Sequence, residues 1–221
     1  MSNLAQPSSI YSAGGLSNIM SKSTQHGWDL SFGQVEAALG TLCDIQPSRR
    51  SLLQSRLKNL FKVGFLPHVA AGRGKAARYG AGEIFQLAFA IELMQFQLGP
   101  HGIVETMKRL DAMVIAAAAE AGAFLSQKMQ PLNLDQHLYL SFDPSGLEVL
   151  SRDWGSAPNP TERIYRGEQP EADRAARRLA IINITRLSID LAQSLANHDL
   201  CEEERFGELI HDWARSRGSD D

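Results

Sequence analysis

The sequence predicts an α+β chain, mostly helical, and three observations lead there. Apolar residues recur every three or four positions over most of its length. They run in short strand-like stretches only around residues 137–166, and Gly/Pro/Asn-rich segments separate the two textures. The 221 residues are 43% hydrophobic and 21% charged, a balance that excludes collagen-like, wholly disordered and disulfide-stapled classes. Cys43 and Cys201 stand far apart in no paired motif, which fits packing residues in a reducing, cytoplasmic setting. No stretch approaches about 18 uninterrupted apolar residues, so no membrane partner is expected.

Residues 1–27 are rich in Ser, Asn, Gly and Gln without a period and read as a mobile arm. Ser31 then serves as N-cap for a first helix whose stripe is Phe32, Val35, Ala38, Leu39 and Leu42. Gln46-Pro47-Ser48 opens a second helix with Pro near its first turn, carrying Leu53, Leu57, Leu60 and Phe61 until Gly64 stops it. Four glycines between positions 68 and 82 disfavour a helix and predict a β-hairpin. Helical spacing returns from Glu83 and again after Gly99-Pro100, the second helix running into an alanine-rich stretch at 116–119.

From about Ala123 the texture changes. Residues 137–142, 147–150 and 161–166 read as strands, followed by a long helix from about Pro170 through Asn197 and a last helix from about Glu202. Ile181, Ile182 and Ile189 widen the long helix's apolar stripe beyond one face, which points to a second subunit. The expected domains are 28–120 and 121–221, the latter an α+β dimerisation or regulatory unit with a long helix.

The charge is unevenly placed. Residues 45–82 contain Arg49, Arg50, Arg56, Lys58, Lys62, Arg73, Lys75 and Arg78 and no Asp or Glu. That segment carries +8, so the whole chain's net −3 leaves −11 for the rest. A basic helix and basic hairpin beside an acidic remainder predict a polyanion-binding module, with double-stranded DNA as the partner. Helix, basic helix, Gly/Arg hairpin, helix, helix is the order of a winged helix-turn-helix.

Within that layout, several stretches match a known family. They are Phe32-Gly33-Gln34-Val35-Glu36-Ala37-Ala38-Leu39-Gly40, Gly64-Phe65-Leu66-Pro67, Arg78-Tyr79 followed by Glu83-Ile84, and Leu98-Gly99. Residues 32–110 thereby resemble the DNA-binding domain of MerR-type transcriptional regulators. The resemblance implies that the second helix enters the major groove, with Lys58 at a basic position of it. It also implies that Arg78 and Tyr79 act as the wing pair on the backbone. Asn59 and Leu60 depart from the aromatic pair usual in that family, and residues 43–51 look like extra sequence between the first two helices.

Other motifs carry less. Gly72-x-Gly74-x-x-Ala77 lacks the preceding strand and opening helix of a dinucleotide site. His198, Cys201 and His211 lack the paired spacing of a zinc site, and no nucleophile, base and orienting group stand in supporting turns. The expectation is therefore a non-enzymatic, sequence-specific DNA-binding regulator, homodimeric, without cofactor or metal. Its contact residues would be Arg49, Arg50, Arg56, Lys58, Lys62, Arg73, Lys75, Arg78 and Tyr79, with the transcription machinery as a further partner. An excisionase-like architectural DNA binder, or an adaptor using the winged helix on a protein, are the alternatives.

Overall fold

The computed structural model describes residues 28–69, 76–127, 136–144, 162–170 and 178–218. The expected arm, Arg73, Lys75 and the expected strand at 147–150 lie outside them. The first described elements are β1 (Leu30–Ser31) and α1 (Phe32–Leu42). Ser31 is the N-cap of α1, and the Gln34 side chain, three residues on, accepts from the Ser31 backbone N–H at 2.9 Å, half of the reciprocal cap that short helices use. The helix ends in a Schellman turn. Asp44 adopts φ 49°, while Ile45 N–H donates to Gly40 and Asp44 N–H to Thr41, satisfying carbonyls the helix leaves open.

A 3-10 turn (Pro47–Arg49) leads into α2 (Arg50–Lys62). As expected, Gly64 stops it: its φ of 89° is a left-handed conformation that glycine adopts without penalty, and Phe65 N–H closes back onto Leu60. Leu53, Leu57 and Leu60 form its buried stripe.

Residues 70–75 of the hairpin expected at 68–82 lie outside the described residues. Residues Pro67–Val69 make a 3-10 turn, and β2 (Arg78–Tyr79) pairs antiparallel with β1, Tyr79 opposite Leu30 and Arg78 opposite Ser31. The partner of the Arg-Tyr strand thus comes from in front of α1.

The next helix, α3 (Ala81–Gln95), starts two residues earlier than its stripe predicts. Glu83 explains the start, because its carboxylate accepts from the Gly80 N–H at 3.0 Å and favours the positive end of the helix. Gly82 sits inside the first turn because a Cβ there would meet the Trp213 ring at 2.1 Å. Helix α4 (Pro100–Ser126) follows and runs unbroken across position 120, where a domain boundary was expected.

The remaining elements are β3 (Leu138–Phe142), β4 (Arg163–Arg166), β5 (Ala180–Asn183), α5 (Ile184–Asn197) and α6 (Glu203–Gly218). The strands form one antiparallel sheet in the order β4-β3-β5. Leu138, Leu140 and Phe142 alternate inward with Ala180 and Ile182, while the paired Tyr139 and Tyr165 stack on the other face at 5.5 Å.

Residues 180–183 correct the expected long helix. The surplus Ile181 and Ile182 are successive strand residues on opposite faces, Ile182 buried and Ile181 37% exposed, so the stripe that pointed to a second subunit divides between two elements. Asn183 caps α5 through its side chain, which accepts from Arg186 N–H at 2.9 Å.

One core joins both halves of the chain. Ser194 Oγ of α5 donates to the Ala38 carbonyl of α1 at 2.7 Å, and Trp28 Nε1 donates to the Leu200 carbonyl. The most extensive helix–helix contact among the described residues is between α4 and α6. Ala119 meets His211, and Gly122 meets Gly207, so the two helices are antiparallel. A Cβ on Gly122 would stand 2.7 Å from the Gly207 oxygen, and one on Gly207 would stand 2.6 Å from Leu125 Cβ. The alanine-rich stretch serves this seam, with Ala117, Ala118 and Ala121 all buried.

Two stability measurements follow. Gly122→Ala forces backbone apart from backbone and should cost about 1–3 kcal/mol, a fall in Tm of about 2–4 °C per kcal/mol for a chain this size, read by a far-UV thermal melt. Glu92, on α3, is half-buried, and burial followed by the Asp190 carboxylate holds its carboxyl above the ordinary range. A raised carboxyl stabilises the fold below its unfolded pKa, and that contribution is lost as pH rises through the folded value. Glu92→Gln should therefore raise Tm at neutral pH, with the gain shrinking as the pH is lowered towards the ordinary glutamate pKa of about 4.3.

Candidate nucleic-acid interface

Helix α2 packs against α1 and α4 with Leu53, Leu57 and Leu60 buried, and that packing fixes which way its other side faces. Gln54 strengthens it: its side-chain N–H donates to the buried Glu36 carboxylate of α1 at 3.1 Å. Successive α-helical residues turn by about 100°. Ser51, Ser55, Asn59 and Lys62 therefore fall on one outward line, opposite the buried leucines, and all four are exposed. Arg49, Leu52 and Arg56 flank that line on one side and Lys58 on the other, also exposed. Small polar side chains in the middle and long basic ones at the edges suit a helix entering a groove. The centre can approach base edges while the flanks reach phosphates.

The remaining expected contacts divide. Arg50 is half-buried, and its Nε comes within 3.7 Å of where a Cβ would stand on Gly40 of α1. That nitrogen has no hydrogen-bond partner among the described residues, and Arg50 packs over α1 rather than standing free at the surface. Arg78 is exposed and holds Asp29 at 3.2 Å, an ion pair open to solvent on both sides, a kind worth little and readily exchanged for another anion.

Tyr79 is corrected from a contact residue to a packing residue. It is 3% exposed, its ring packs against Phe32 and Phe61 with centroids 6.4 and 6.1 Å away, and burial pushes its phenol pKa up. Phe32 and Phe61 close the cluster at 6.4 Å. Tyr79 thus ties β2 to both α1 and α2 and holds the basic helix in place from behind.

Ser51, Ser55 and Asn59 are the residues that charge counting passes over. Their positions around the helix axis find them, since with Lys62 they fill the arc opposite Leu53, Leu57 and Leu60.

The histidines considered for metal are engaged with neighbours: His198 pairs with Thr41 at 2.8 Å, and His211 with the Ala119 carbonyl at 2.9 Å. Among the described residues no group of three or more His, Cys, Asp or Glu is placed to hold a metal ion, and no helix is long and apolar enough to cross a membrane. Comparison of the chain with protein-family models, curated proteins and solved structures finds no match.

The packing role of Tyr79 is separable from a binding role. Tyr79→Phe should leave stability within about 1 kcal/mol, whereas Tyr79→Ala opens a cavity and should cost about 3–5 kcal/mol, both read by urea unfolding monitored by circular dichroism.

Proposed function

We propose that this protein is a sequence-specific DNA-binding transcriptional regulator that reads the major groove with α2. The observation that carries the reading is the outward face of that helix. Ser51, Ser55 and Asn59 lie between Arg56 and Lys58, with Lys62 at the far end, inside a segment of +8 without a single acid. The resemblance of residues 32–110 to MerR-type domains supports the same orientation. Arg49, Arg56, Lys58 and Lys62 supply phosphate contacts, joined by Arg78 and by Arg73 and Lys75. Asn59 is suited to pair with an adenine edge, as Asn side chains do.

The protein acts as a cytoplasmic homodimer in this reading. A two-fold dimer engages two half-sites and multiplies the discrimination of one, and half-sites about 34–36 Å apart are the geometric consequence. The acidic remainder of the chain limits nonspecific binding to DNA, and contact with the transcription machinery completes the regulatory role.

Fluorescence anisotropy of a mixed-sequence duplex across a salt series tests this, comparing wild type with the combined Arg56→Ala, Lys58→Ala, Lys62→Ala variant. Log affinity should fall against log salt by about 0.9 per phosphate contact, and the variant's slope should be shallower by up to about 2.7. Weak binding indifferent to salt in both proteins would overturn the reading and favour a protein partner for the same helix.

A further inference from the structure

Beside the Arg49–Leu52–Arg56 flank of α2 lies a cleft of about 380 Å³, closed on its far side by the loop after α1 and the last turn of α3. The volume is within the range of small-molecule sites, roughly 300–1,000 Å³. Its floor is apolar. Leu53 and Ile91 are buried, with Ile45 and Met94 half-buried beside them. Cys43 belongs to the floor as a neutral thiol, since burial and then the Glu92 carboxylate push its pKa up to about 11.

The rim has the opposite character. Arg49 and Arg56 both line it, and neither makes an ion pair among the described residues. Asp44 is the acid in the lining, so the rim remains net positive. Between the two arginines Leu52 is 61% exposed, a large apolar side chain left in water where an apolar ligand would cover it. The first turn of α2 holds no acidic residue, and its N-cap makes no side-chain hydrogen bond. The positive end of the helix dipole is therefore uncompensated.

We propose that this cleft binds a small amphipathic carboxylate and that its occupation excludes DNA from α2. Arg49 and Arg56 hold the head group, and the hydrocarbon body lies across Leu52, Leu53, Ile91 and Met94. A guanidinium meets a carboxylate and a phosphate through the same forked donors, so head group and DNA backbone compete for the same two side chains. The coupling is reciprocal: whatever factor the ligand takes from DNA affinity, DNA takes from ligand affinity. The regulatory half of the proposal rests on the DNA reading above, whereas the binding half does not.

The test is isothermal titration calorimetry of the full chain with decanoate below its micellar concentration, with decan-1-ol and inorganic phosphate as headless and tailless controls. Two variants accompany it: the Arg49→Gln, Arg56→Gln pair, and Met94→Glu, which places a like charge on the floor and leaves the outward line of α2 untouched. Decanoate should bind saturably with one site per chain, at least tenfold more tightly than either control, and both variants should weaken it at least tenfold. The Met94 methyl resonance of the wild-type protein should move on titration, a readout that does not depend on any variant folding.

In the anisotropy assay decanoate should release the duplex from wild type and leave it bound to Met94→Glu. Absence of saturable decanoate binding, or equal binding by wild type and Met94→Glu with an unmoved Met94 methyl, overturns the proposal. If the duplex binds and decanoate does not, the cleft fails and the DNA reading stands. If decanoate binds with the expected variant pattern and the duplex does not, the site stands and both the DNA reading and the regulatory role fall.

Discussion

Two glycines, Gly122 on α4 and Gly207 on α6, set the distance on which the rest of the molecule depends. With no side chain at either position the backbones come close enough that a single added methyl on one would strike the carbonyl of the other. That closeness seats α6, and from α6 the consequences run back to the front of the chain. Trp213 lies over Gly82 and covers the first turn of α3. The start of α3 fixes β2, β2 carries Tyr79 into the ring cluster with Phe32 and Phe61, and that cluster holds α1 and α2 together. The outward face of α2 is thus positioned by a helix crossing whose second partner lies some 150 residues further along the sequence. The C-terminal part is a scaffold for the N-terminal one as well as an acidic counterweight to it.

Features written in a few consecutive residues were legible in the sequence. Ser31 as a cap, Gly64 as a stop and Gly99-Pro100 as a start each act through their own backbone or side chain, so their meaning does not depend on the fold. The same holds for the acid-free basic segment and for the leucines of α2. What escaped was decided by distant partners. Tyr79 looks like a surface residue beside Arg78 until β2 is seen to pair with β1, which turns the ring inward. Ile181 and Ile182 continue the helical spacing of the residues after them. Only the pairing of β5 with β3 shows that they belong to a strand and face opposite ways. Gly82 disfavours a helix on local grounds and tolerates one here because an indole from α6 occupies the missing side chain's place.

The candidate interface shows the same division. Charge located α2 but not its outward line, because Ser51, Ser55 and Asn59 carry no charge and become conspicuous only once the buried side is known. Arg50 shares the sequence character of Arg49 and has a different place, turned onto α1 where Gly40 leaves room. The exposed Leu52 has the opposite lesson: an apolar residue within a basic flank is a poor fit to phosphate alone, and it gains a purpose beside the cleft that Arg49 and Arg56 border. Under the two proposals, one flank of one helix would offer the same cations to two kinds of anion, with competition as the form of control.

The central claim is that the outward line of α2 meets DNA, and mapping amide resonances on titration with duplex addresses it residue by residue. The account predicts the largest shifts at Ser51, Ser55, Asn59 and Lys62, with Tyr139 and Tyr165 on the sheet unmoved. Shifts centred on the sheet with α2 silent, or no shifts at all, would contradict it.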